Sequence, residues 1–392
     1  MSTGAPGSFA DPRTHAGAGG DAGAGAVAGH WIDAVYRVRA AAAGIGARAQ
    51  AIALEQSIEA PLAAVRDERV LREVVAQVGD IAPAGARDFD VTIRIAVETT
   101  GFEAGQLLNM LFGNTSLHDD VTLVDAVFPA EFAQGFGGPA FGIAGIRALT
   151  GAAGRPLTCS ALKPQGLPSQ ELAKIARTFA LAGIDVIKDD HGLADQAVAP
   201  FGQRVREVQR AVDEANRATG GHSVYAACLS GHYARMREQV AIAEDCGVRM
   251  FLVAPMIAGV AALAALAREA NAPIIAHPAL AGAARIAPPL LLGRLFRMFG
   301  ADATIFPHAG GRFGYSGDVC NAIAAAAREP WHGLASTLPV PAGGMSVERV
   351  PEICAQFGAD TMLLVGGSLL AARERLAERC RDFVTAVHGE AR

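Results

Sequence analysis

The chain has 392 residues, about half of them hydrophobic and only 6% aromatic, with a formal net charge of −5. Its 34 Lys and Arg residues are scattered rather than blocked, which argues against nucleic-acid binding, and without an apolar run of about 18 residues or a basic start leading into an apolar stretch, neither a membrane span nor a secretory signal is expected. The six cysteines are widely spaced with no C-x-x-C pair, which fits reduced core thiols in a cytoplasmic protein better than a zinc site or a disulfide framework.

Residues 1–29 are rich in Gly, Ala, Ser and Pro. Such a segment buries too little apolar surface to offset the entropy of ordering, so a disordered tail is expected. From Trp31 the character changes, and Ile32, Val35, Tyr36 and Val38 predict a strand. A helical stretch follows at 66–78, and the alternation of Val91, Ile93, Ile95 and Val97 predicts another strand at 87–97. Strands and a helix mixed without regular alternation predict a small α+β (ferredoxin-like) domain over 30–150.

Over 151–392 the pattern becomes regular. Short apolar runs recur at 157–163, 186–190, 224–230, 250–255, 273–277, 304–308, 337–342 and 362–366, and segments such as 169–181, 205–218 and 233–245 between them have helical apolar spacing. Eight strands alternating with helices predict an α/β fold, a (β/α)8 TIM barrel. The polar residues agree, because they sit at the C-terminal ends of the runs: Lys163, then Lys188, Asp189, Asp190 and His191, then Ser230, His277 and His308. In a barrel those ends converge on the catalytic face.

Within that set, a buried strand ending in Lys188-Asp-Asp-His191 concentrates charge where apolar side chains belong. Lys188 and Asp190 share one face of the strand, and a divalent cation such as Mg2+ would offset the cost of that charge. Lys163, expected to be buried near other cations, is a candidate for proton transfer through a lowered pKa. His277 and His308 read singly as ligands, bases or structural histidines, and together on one rim they favour function. Gly343-Gly344 and Gly366-Gly367, after the last two strands, offer backbone N–H groups for a phosphate.

Leu162-Lys-Pro-Gln-Gly-Leu167, followed by Lys188-Asp-Asp-His191, resembles the paired lysine motifs of RuBisCO large chains. Segments around Glu55, around Asn114, and at both Gly-Gly pairs are similar in order and spacing, and the likeness covers about 360 residues. The resemblance implies that Lys188 is carbamylated and holds Mg2+ with Asp190 and His191, and that Lys163 is the acid/base. It implies that His277 and His308 contact the substrate, and that Glu55 and Asn114 reach into the active site of a partner subunit in a homodimer.

Departures from the family shape the expected activity. Gln165 stands where carboxylases have a second lysine, Pro278 where they have an arginine for a second phosphate, and the loop 309–316 has no lysine. These point to a RuBisCO-like protein that does not fix carbon and acts on a singly phosphorylated substrate. The expected activity is decarboxylation of a 3-oxo sugar acid phosphate of the 3-oxo-isoapionate 4-phosphate type. The alternative is a sugar-phosphate isomerase or enolase acting on methylthio-sugar phosphates, separated from the first by whether CO2 is released.

Overall fold

The structure, a computed structural model, describes residues 31–389. The expected disordered tail lies outside that range. Residues 31–127 contain four strands, β1 (Trp31–Arg39), β2 (Gln77–Pro83), β3 (Asp88–Ala96) and β4 (Val121–Val127), in an antiparallel sheet of order β2-β3-β1-β4. Helices Ile45–Glu55 and Ala104–Phe112 complete a βαββαβ arrangement. Ile32, Ala34, Tyr36 and Val38 of β1 and Val91, Ile93 and Ile95 of β3 are buried on alternate positions, so one face of the sheet is covered.

The sequence reading of 66–78 as helix is corrected here. The helix runs only over Glu68–Glu73, and the chain then enters β2 at Gln77, pairing with β3. The β-branched pair Val74-Val75 precedes that strand, where pairing with β3 outweighs the local periodicity.

The eight remaining strands are β5 (Leu157–Leu162), β6 (Val186–Asp189), β7 (Val224–Cys228), β8 (Phe251–Val253), β9 (Ile274–Ala276), β10 (Ala303–Pro307), β11 (Leu338–Ala342) and β12 (Met362–Leu364). They form one parallel sheet of order β11-β10-β9-β8-β7-β6-β5-β12. Seven of the strands fall within their predicted runs, and β10 starts one residue earlier, at Ala303. Its interior is filled by residues such as Leu157, Val186, Ala226, Leu252, Ile275, Ile305, Val340 and Met362, and Ile146 of the helix Gly142–Thr150 packs into the same cluster.

The sheet curls until β11 and β12 meet, and their seam has a chemical cause. Leu338 donates its N–H to Asp302 O on the β10 side at 2.8 Å. By alternation the nitrogens of Pro339 and Pro341 face β12, and proline has no N–H to give. The link across the seam instead includes a side-chain bond, Thr361 Oγ1 to Pro339 O at 3.1 Å.

Among the described residues two arginines are fully buried. Arg297 donates to the carbonyls of Ala335, Leu334 and Glu329 at 2.8–2.9 Å and of Ala326 at 3.2 Å, fixing the turn that leads into β11. Arg204, on the helix Phe201–Thr219, pairs with Asp189 of β6. No helix among the described residues is long and apolar enough to cross a membrane.

Candidate active site

Strand periodicity sorts the charges at the end of β6. Val186 points into the barrel and Ile187 outward, so Lys188 points in and Asp189 out. The Asp189 carboxylate accepts from Tyr225 Oη at 2.8 Å, Cys228 N at 3.1 Å and Arg204 Nε at 3.2 Å, all in the layer between sheet and helix. Lys188 is buried inside, its Nζ donating to Asp189 O at 2.8 Å. Burial lowers the Lys188 pKa and so favours the neutral amine, although the charge of Asp190 acts the other way.

Asp190 follows on the inner face. Lys163 Nζ, at the end of β5, meets its Oδ1 at 2.5 Å, and His191 Nδ1 lies 3.4 Å from the same oxygen. Burial alone would raise the Asp190 carboxyl, but the bonds from His191 and Lys163, with the charges of Lys188 and Lys163, hold it well below the usual carboxylate range. Lys163 was expected to lie buried among cations. Its side chain is instead 36% exposed and its partner is an anion.

The His191 ring stacks on His277, with centroids 3.9 Å apart and planes 11° from parallel. His277 Nδ1 accepts Ala279 N–H at 3.2 Å, which leaves Nε2 to carry the proton of the neutral ring. Burial, with Lys188 and His191 nearby, pushes the His277 pKa down to about 2.

These groups line a cavity of about 850 Å³ at the C-terminal end of the barrel. Lys163, Lys188, Asp190, His191, His277 and both Gly-Gly pairs all face it. Gly343 and Gly344 have φ +86 and +97, a region only glycine enters freely. A Cβ on Gly344 would also lie 2.8 Å from Arg312 N, so the loop 309–316 is pressed onto this turn. Ser368 Oγ donates to Met345 O at 2.9 Å and ties the two glycine loops together.

Three predicted site residues lie elsewhere. His308 is 1% exposed, does not line the cavity, and turns its Nε2 to Gln356 Oε1 at 3.0 Å. Asn114 Nδ2 donates to Glu55 Oε1 at 2.9 Å, on the small sheet's side of the molecule and outside the cavity lining. Conversely, the sequence reading passed over Leu280, Phe313, Met345 and Ser346, which do line it. They belong to loops without periodicity, where the only local signal is proximity to a Gly-Gly pair or to the end of a strand.

Among the described residues no three His, Cys, Asp or Glu side chains gather as a metal site. Asp190 and His191 supply two donors on the cavity wall, and Lys188, buried beside them at the end of β6, is a side chain that a CO2 adduct would turn into a third. Such a set, carboxylate oxygens with one imidazole, suits a divalent cation that keeps water or substrate oxygens in its remaining positions.

Residues 142–302 match the family described as ribulose bisphosphate carboxylase large chain, catalytic domain. The chain is 55% identical over 362 residues to a 5-methylthioribulose-1-phosphate isomerase of Rhodospirillum rubrum, covering 92% of this chain and 97% of that one. It is 35% identical over 290 residues to a 2,3-diketo-5-methylthiopentyl-1-phosphate enolase of Geobacillus kaustophilus, covering 71% and 70%. The Rubisco-like protein from Rhodopseudomonas palustris superposes with a TM-score of 0.87 at 48% identity, covering 93% of this chain and 99% of that one.

Proposed function

The chain belongs to the RuBisCO large-chain family, among its RuBisCO-like members, and from that premise we propose that it is a sugar-phosphate isomerase acting on a 5-methylthioribulose 1-phosphate type of substrate. The observation that carries this reading is the 55% identity to an isomerase over 92% of the chain. The decarboxylase expectation gains no such support, since the named activities of these relatives are an isomerase and an enolase.

The two glycine loops take the phosphate. Gly343, Gly344, Gly366 and Gly367 bring backbone N–H groups to one end of the cavity, and Gly343 and Gly344 adopt a backbone that a Cβ would strain. Lys188, Asp190 and His191 are the residues that would hold Mg2+, Lys188 as its carbamate. CO2 adds to the neutral amine, the form that burial favours, and one proton is released. Bound there, the cation would supply Lewis-acid polarisation of the substrate carbonyl and stabilise an enediolate.

Isomerisation through an enediolate takes a proton from the carbon beside the carbonyl and delivers one to the former carbonyl carbon. Lys163 Nζ faces the cavity beside Asp190, which suits its amine to take the first proton and, as the ammonium, to return it to the neighbouring carbon. Neutral His277, its proton fixed on Nε2 by the Ala279 contact, donates to a substrate oxygen. Glu55 and Asn114 belong to the site of a partner subunit in a homodimer, which accounts for a bonded polar pair outside the protomer's own cavity.

The test is incubation with 5-methylthioribulose 1-phosphate, Mg2+ and bicarbonate in D2O. An isomerised phosphate carrying solvent deuterium is expected. CO2 release from a 3-oxo sugar acid phosphate, with no change in the methylthio substrate, would restore the decarboxylase reading.

A further inference from the structure

Leu280 has φ +65, a left-handed conformation that a leucine side chain resists and that glycine or asparagine adopts readily. It also exposes a large apolar side chain, 61% accessible, and it lines the cavity. Phe313, on the loop after β10, is 53% exposed and lines the cavity with its ring against Gly343. A leucine that is both exposed and left-handed adds nothing to the core and opposes its own backbone, so its place on the cavity wall points to a ligand.

The loop is built to hold it there. Arg285 O accepts Leu123 N–H from β4, and Ala287 N donates back to Leu123 O at 2.8 Å, so the segment beyond Leu280 is bracketed by the small sheet. The apolar part of the lining includes Pro278, Ile305, Phe306 and Ala342 besides Leu280.

We infer that Leu280 is a specificity-determining residue that covers the end of the substrate farthest from its phosphate. It selects an apolar tail, such as an alkylthio or alkyl group, against a hydroxyl-bearing one. This rests on the isomerase reading for the identity of the substrate, but its discrimination is a property of binding and is tested separately.

Binding of 5-methylthioribulose 1-phosphate and of ribulose 1-phosphate, which differ only in that tail, is compared by calorimetry with Mg2+ and bicarbonate present. Wild type is expected to prefer the thioether by at least about tenfold. Leu280→Gly and Leu280→Asn suit the backbone, so the thermal midpoint should not fall, yet the preference should shrink to about threefold or less. In turnover, the loss should fall on KM for the thioether more than on kcat.

An unchanged preference in the Leu280 variants, or equal weakening toward both compounds, overturns the inference, as does a wild type without preference. A wild type that prefers the thioether but isomerises neither compound overturns the isomerase reading alone.

Discussion

Asp189 and Asp190 are consecutive in the chain, yet their carboxylates lie on opposite sides of the barrel wall. One is bound by Arg204, Tyr225 and Cys228 N, and the other pairs directly with Lys163 on the cavity wall. The outer acid fixes the strand end from which the inner one projects. Their exchange of roles under mutation should therefore be sharply unequal.

Replacing Arg204 with Met leaves Asp189 buried without its cation. Breaking a buried pair by removing one partner typically costs about 3–5 kcal/mol, so the urea midpoint should fall substantially. Asp190→Asn should leave the midpoint near wild type and abolish turnover. Equal stability losses in the two variants would contradict the division of labour.

Lys188→Ala removes the amine on which a carbamate could form. Turnover should vanish, and activity above about a tenth of wild type would overturn the metal assignment. Lys163→Met should stop deuterium transfer into product while substrate still binds. Undiminished incorporation would move the proton carrier elsewhere.

The shared-site reading can be tested by mixing two inactive proteins. If Asn114 serves the partner's site, Lys163→Met and Asn114→Ala subunits refolded together should regain roughly a quarter of wild-type activity, since half the dimers are mixed and each has one intact site. No recovery, with mixed dimers demonstrated, would place Asn114 outside the site.

Arg297→Met removes a donor set that satisfies four carbonyls of the turn into β11. Those carbonyls would be left buried without partners, at a cost of about 3 kcal/mol or more. A change in the thermal midpoint of less than a few degrees would show that water reaches the turn.

Asp302 provides a pH signature. Burial pushes its carboxyl up to about 6, against pulls from the N–H groups of Gly142, Ile274 and Phe141. The folded value lies above the unfolded one, about 3.9, so its proton is held more tightly in the folded state. The stability this contributes is complete below about pH 4 and is lost as pH rises through about 6. Relative to Asp302→Asn, wild type should lose on the order of 2 kcal/mol between pH 4 and pH 7 in urea titrations. Parallel curves would refute the assignment.

The barrel was legible because burial on both faces makes each strand a continuous apolar run, and 186–190 stood out because Lys188 and Asp190 interrupt one. The small sheet was harder to read. β2 is almost wholly exposed and has no apolar alternation to reveal it, and β4 and the helix Ile45–Glu55 went unassigned. Spacing placed Lys163 on the correct rim but could not show that its partner is Asp190, because that contact joins residues 27 positions apart. His308 had the right strand and the right end, but Gln356, on the helix Val350–Phe357, draws its ring aside. Leu280 and Phe313 were invisible because exposed loop leucines and phenylalanines are ordinary in sequence. Only φ and the cavity distinguish them.

The two prolines of β11 leave the protein's ladder one rung line short, directly below the loops proposed to take the phosphate. An anion held by Gly343-Gly344 on one side and Gly366-Gly367 on the other would span that gap and brace the seam from above. Amide exchange and proteolysis near Thr361 should then slow most when ligand binds, so the weakest line of the barrel wall would be the one most stiffened by substrate.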